Sequence, residues 1–107
     1  MSKIADSING TTEFVKFFDK ISNSDPRKKE LGSIFKTLKE NCLCGNKIPH
    51  KQWPQEYIKK YNVKNLWRFE MKSGWRLIYT IISENGKISV CVIEVFSHDD
   101  YEKRFSY

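Results

Sequence analysis

The chain reads as an α+β domain: an N-terminal helical hairpin packed on one face of a small antiparallel β-sheet, closed by a short C-terminal helix. Three observations predict this. Apolar residues recur at helical spacing in two stretches before residue 43. Three runs rich in β-branched and aromatic residues follow residue 65, and Asn85-Gly86 links the last two. A helical pair followed by consecutive strands is the order that stacks helices on one side of an antiparallel sheet.

Composition frames these elements. A chain of 107 residues is long enough for one hydrophobic core, so a single domain over residues 1–107 is expected. With 39% hydrophobic and 30% charged residues it is not a disordered chain, and three Trp, five Tyr and seven Phe give the core bulk. No run approaches the ~18 apolar residues of a membrane span, and MSKIADSINGTTEF carries no signal-type hydrophobic segment. Three cysteines, Cys42, Cys44 and Cys91, cannot pair completely, which fits a reducing compartment. The expected location is cytoplasmic, with no membrane partner. Cys42, Cys44, His50 and Cys91 are zinc-ligand types, but C-x-C is not the usual structural-zinc spacing and Cys91 lies in a strand pattern. No metal and no cofactor is expected.

The elements follow in order. Residues 2–8 form a short edge strand with poor alternation. Thr11 or Thr12 caps a helix whose stripe is Phe14, Phe17, Phe18 and Ile21. Ser24 or Asp25 starts a second helix, with Pro26 suited to its first turn and a stripe of Leu31, Ile34, Phe35, Leu38 and Cys42. Gly45 ends this hairpin. From 46 to 65 the chain is irregular and basic, with a short helix starting near Pro54 and running through Lys60. Strands are expected at 66–71, 75–82 and 87–96. Ser97 then caps one or two closing helical turns.

Arg76 is the unusual residue, a charge inside the good strand GWRLIY. A two-residue Ser73–Gly74 turn would set it opposite Met71, among Trp67 and Phe69, where an unpaired buried charge costs several kcal/mol on the order-of-magnitude scale. A three-residue loop of Lys72, Ser73 and Gly74, with Gly74 left-handed, avoids this. It pairs Met71 with Trp75, Phe69 with Leu77 and Trp67 with Tyr79 on the helix-covered face. Arg68, Glu70 and Arg76 then share the other face with Ile78, Thr80, Cys91, Ile93 and Val95, and Glu70 stands opposite Arg76. That face is expected to be uncovered and available for binding, although the same register sends Glu94 to the helix side. A Glu70–Arg76 pair is also a common device on a solvated sheet face, worth a few tenths to about 1 kcal/mol.

The formal charge of +6 draws a small domain to polyanions, RNA and DNA first among them. Cations and rings interleave at Lys47, His50, Lys51, Trp53, Tyr57, Lys59, Lys60, Tyr61 and Lys64, a mix that suits single-stranded RNA. His50, Lys51, Lys59 and Lys60, with Lys72 from the loop, are the candidate RNA-binding residues. A solvated short helix anchored by Trp53 and Tyr57 accounts for the same pattern.

GWRLIY (74–79), preceded by a helical hairpin and followed by the polar-aromatic cluster SHDDYEKRF, resembles the RelE/ParE superfamily of type II toxins. The likeness runs from Thr11 onward. It implies a ribosome-dependent mRNA endoribonuclease that works without a metal, the ribose 2′-oxygen attacking the adjacent phosphate, and a cognate antitoxin, expected to be acidic, as partner. Arg76 matches the motif arginine, which holds two phosphate oxygens with its planar fork; Arg68 could take a further oxygen. His98 is the candidate for proton transfer, because an imidazole titrates near neutrality. Tyr101 could stack on a base or donate a proton, and Glu70 could act as base or only hold Arg76. The bland readings are a helix cap for His98 and a docked helix for Tyr101 and Phe105. The alternative within the resemblance is a non-catalytic ParE-like gyrase inhibitor, or a repurposed RNA- or protein-binding module.

Overall fold

A computed structural model describes residues 2–105. The elements are β1 (Ser7–Gly10), α1 (Thr12–Lys20), α2 (Pro26–Glu40), β2 (Asn46–Lys47), a 3-10 turn (His50–Gln52), α3 (Gln55–Tyr61), β3 (Trp67–Glu70), β4 (Arg76–Glu84), β5 (Lys87–Phe96) and α4 (His98–Arg104). Each longer helix starts at a side-chain cap. Thr11 Oγ1 accepts from the Phe14 amide at 3.1 Å, and Asp25 accepts from the Arg27 amide at 2.9 Å with Pro26 in the first turn. Ser97 does the same for α4, accepting from the Asp100 amide.

The sheet order is β1-β5-β4-β3-β2. The β3, β4 and β5 strands are antiparallel, as expected, and the short β2, in a stretch expected to be irregular, adds antiparallel to β3. The N-terminal edge strand lies later than residues 2–8, at Ser7–Gly10, and joins β5 in parallel. Exposure alternates along its four residues. The β3–β4 connection is the three-residue loop: Met71 N–H donates to the Trp75 carbonyl at 2.8 Å, and Gly74 sits at φ +88°. Only glycine adopts that conformation without strain. Asn85 and Gly86 both have positive φ, as a two-residue hairpin turn requires.

The helical hairpin covers one face of the sheet. Phe14, Leu31, Ile34 and Leu38 pack on Leu77, Tyr79, Val90 and Val92. Leu31, Leu38, Leu77 and Tyr79 are fully buried, each contributing about 1.5–3 kcal/mol of transfer free energy. The Tyr79 hydroxyl closes this layer: it donates to the Cys42 carbonyl at 2.8 Å and accepts from the Gly45 amide at 3.1 Å.

The opposite face is not uncovered, and this corrects the sequence reading. The 46–66 segment and α4 fold over it, so that Ile48, Tyr57, Val63, Leu66, Tyr101 and Phe105 bury Ile78, Ile93 and Phe96. The reason is apolar area. Ile78 and Ile93 would otherwise stand in water, and the basic segment carries enough scattered apolar residues to cover them. A β-bulge makes a second correction. The register shifts between Ile78, opposite Glu94, and Tyr79, opposite Val92. The extra residue turns Glu94 away from the helix side, where the unbroken register had placed it, and turns Val95 onto the helical core. Among the described residues, no helix is long and apolar enough to cross a membrane.

Candidate functional site

Three backbone relationships build one cluster at the end of the sheet. Glu70 is opposite Arg76 across β3–β4, and Arg68, two residues before Glu70, shares its face. Phe96 is opposite Arg76 across β4–β5. Ser97 then caps α4, and one turn later Tyr101 lies buried under the two arginines.

The geometry is close. The Arg68 and Arg76 guanidinium carbons lie 5.6 and 5.3 Å from the centre of the Tyr101 ring. At that range the negative ring face attracts each cation. Phe105 stacks on Tyr101 with ring centres 4.6 Å apart, which fixes the ring's plane. Arg68 Nη1 donates to the Tyr101 hydroxyl at 3.1 Å, and Arg76 Nη1 donates to the Gly74 carbonyl at 3.0 Å. Glu70 Oε1 stands 3.7 Å from Arg68 Nη2 and 3.8 Å from Arg76 Nη2, within ion-pair range of both. The arginine side chains are 28% and 18% exposed, and that of Glu70 is 54% exposed. Arg76 Nε is buried with no hydrogen-bond partner among the described residues.

Two planar forks side by side, with Glu70 next to both, present several N–H donors from one cluster. Such a site suits a tetrahedral oxyanion, which accepts from several N–H groups at once. A groove of about 580 Å³ adjoins it between α2 and β3, lined by Lys29, Glu30, Ile34, Phe69, Glu70 and Lys72 among others.

Of the residues singled out from the sequence, the fold therefore gathers Arg68, Glu70, Arg76 and Tyr101. His98 is on α4 but outside this set of contacts. Its side chain is 56% exposed, and Nε2 lies 3.4 Å from Glu102 Oε1. The candidate RNA-binding residues are dispersed. His50 and Lys51 sit on the 3-10 turn, His50 with its ring 4.5 Å from Trp53. Lys59 and Lys60 lie on α3, and Lys72 on the β3–β4 loop, where its amide donates to Glu30. Lys60 is bound to Glu13 of α1, and Tyr61 also donates to Glu13, at 2.9 Å. These contacts hold the Glu13 carboxyl down at about 2, the Lys60 hydrogen bond contributing most.

The sequence reading missed Arg104. It bridges Glu94 at 3.2 Å and Glu56 at 2.5 Å, with its guanidinium carbon 5.2 Å from the Phe96 ring centre. That network depends on the bulge, which only the folded strand pair displays. The nearby Tyr57 hydroxyl is fully buried, and burial first, then the Glu94 carboxylate, push its ionisation far up. Burial likewise raises all three cysteine thiols, so none is an activated nucleophile. Among the described residues, no group of three or more His, Cys, Asp or Glu side chains stands together as metal ligands. Compared with family models, curated proteins and solved structures, the chain matches none.

Proposed function

We propose that this chain is a type II toxin of the RelE/ParE kind, an endoribonuclease that cuts mRNA on the ribosome, acting in the cytoplasm and restrained by an acidic antitoxin. The observation that carries this reading is the convergence of Arg68 and Arg76 on one buried ring, with Glu70 beside both.

In the proposed reaction the ribose 2′-oxygen attacks the neighbouring phosphorus and the bond to the 5′-oxygen breaks. One proton leaves the 2′-hydroxyl and one reaches the departing 5′-oxygen, giving a 2′,3′-cyclic phosphate and a 5′-hydroxyl. Negative charge grows on the non-bridging oxygens as the phosphorane forms. Arg76, with Arg68 beside it, meets that charge with prepositioned N–H groups. Tyr101 holds both forks, and its hydroxyl already accepts from Arg68. His98, at the exposed start of α4, is the proposed proton carrier. The adjoining groove offers Phe69 and Lys72 to the nucleotide beside the cut.

The test is translation in a reconstituted extract. Position-specific cuts in ribosome-bound mRNA, abolished in Arg76→Ala while the unfolding midpoint holds, support the reading. A second reading is favoured by one observation: His98 pairs with Glu102 rather than with the arginine cluster. On that reading the same fold is a non-catalytic, ParE-like binder. Arrest of DNA supercoiling with translation untouched selects it.

A further inference from the structure

β1 is an outer strand of the sheet, and its free side is unguarded. It pairs with β5 in unbroken register, from Ser7 opposite Ser89 to Gly10 opposite Val92. The Asp6 N–H donates to the Ile88 carbonyl. Alternate residues of a strand turn the same way, so Ser7 and Asn9 aim their N–H and C=O groups away from the sheet. Outer strands ordinarily carry a charge, a proline or a bulge that stops another strand from adding. Ser7, Ile8, Asn9 and Gly10 supply none of these.

Apolar side chains stand exposed at both ends of this strand. Ile4 and Val15, at 74% and 44%, are the two most exposed large hydrophobic residues among those described. Ile4 precedes β1 and borders a hollow shared with Lys36, Lys39 and Glu40 of α2. Val15, on α1 just after β1, edges a hollow of about 200 Å³ whose lining, Ile8, Phe14, Phe18 and Phe35 among it, carries no charge. The charges outside the two hollows are complementary. Lys36 and Lys39 outnumber Glu40 beside Ile4, whereas Asp19 stands one turn from Val15 on the same side of α1. Neither lysine nor Asp19 makes an ion pair among the described residues.

These features fit a second copy of the same chain. Antiparallel pairing of two β1 strands about a two-fold axis at Ile8 sets Ser7 of one copy opposite Asn9 of the other, outward groups to outward groups. It also carries Ile4 of each copy to the far end of the other's strand, where Val15 and the uncharged hollow lie, and brings Lys36 and Lys39 toward the other copy's Asp19. We infer that β1 is a homodimer interface that joins two five-stranded sheets into one. A nucleic acid fits this edge poorly, because neither the strand nor the hollow beside Val15 offers a cation to a phosphate. A short ladder with two side-chain insertions buries less than the roughly 1,200 Å² of a standard interface, so the dimer is reversible, with a Kd between about 1 µM and 1 mM. The inference does not depend on the RNA reading.

Sedimentation equilibrium of the full chain across that concentration range is expected to show wild type passing from monomer to dimer. Asn9→Pro removes an outward N–H and leaves the β5 ladder intact. Ile4→Lys and Val15→Glu each place a charge at an exposed position. Each of the three is expected to weaken the dimer about tenfold or more, with circular dichroism unchanged. Combining Ile4→Lys with Val15→Glu in one chain is expected to restore it, because the two new charges attract across the axis. A wild type that stays monomeric to about 1 mM overturns the interface. A dimer that none of the single variants weakens lies on another surface and overturns it too. So does a combined variant as weak as its parents, since Ile4 and Val15 then do not meet. Should Asn9→Pro disturb the fold, the variants at Ile4 and Val15 decide.

Discussion

Arg76 and Phe96 face one another at the far end of the β4–β5 ladder, and that pairing sets Tyr101 beneath two guanidiniums. The chain has only Ser97 in which to turn before α4 begins, so the helix's first turn brings Tyr101 beside Arg76, the first residue of β4. Tyr101 is then both a core residue and the floor of the site. Tyr101→Phe keeps the ring and loses the acceptor for Arg68, a cost of about 0.5–1.5 kcal/mol. Tyr101→Ala removes the ring and costs about 3–5 kcal/mol. Urea midpoints measure both. Equal costs would mean that the ring supports nothing.

Arg76→Lys keeps the charge but loses the fork and its second donor. Lysine is a point charge that cannot hold the Gly74 carbonyl and two oxyanion oxygens together. On the proposed reading, ribosomal mRNA cleavage is expected to fall about 10²–10³-fold, the range for removing a prepositioned transition-state donor. Thermal unfolding is expected to fall modestly, because Arg76 is only 18% exposed and packs on the Tyr101 ring. Cleavage near the wild-type rate would remove Arg76 from the chemistry.

Glu13 ties α1 to α3 through Lys60 and Tyr61, and its pH dependence has a definite sign. Its folded-state pKa is lowered from 4.5 to about 2, so its contribution to stability is fully present above about 4.5 and is lost as pH falls toward 2. Lys60 is raised by the same contact, so its contribution holds through neutrality and is lost only above the ordinary lysine range. Urea midpoints between pH 6 and pH 2 are expected to fall less steeply in Glu13→Gln. Parallel curves for the two proteins would dissolve the contact.

Tyr79→Phe separates fold from site. It leaves the Cys42 carbonyl and the Gly45 amide without their shared hydroxyl, a buried loss of about 1–3 kcal/mol. The residue lies under the helical hairpin, away from the arginines, so on the proposed reading cleavage per folded molecule is expected to be unchanged. A variant that folds well yet cuts poorly would tie the helical layer to the chemistry.

Much of this architecture is local and was legible. The Phe14–Ile21 and Leu31–Leu38 stripes, the Gly74 loop and the Asn85-Gly86 turn each follow from nearest neighbours, because cap, period and turn chemistry act within a few residues. The opposition of Glu70 and Arg76 follows from the length of one loop. By contrast, Ile48, Tyr57, Val63 and Leu66 show no common period among their lysines. Their burial becomes visible only when the second sheet face presents Ile78 and Ile93 to be covered.

The amino-acid sequence by itself determined the helical pair, the three-stranded meander and the face on which Arg68, Glu70 and Arg76 stand. These rest on alternation and short turns, which are properties of the chain before it collapses. Tertiary structure alone decided that the bulge turns Glu94 toward Arg104, that α3 and α4 close over the second face, and that Tyr101 lies between that cover and the arginines. Those outcomes depend on burying apolar area contributed by residues far apart along the chain, and such long-range packing leaves no periodic trace in the sequence.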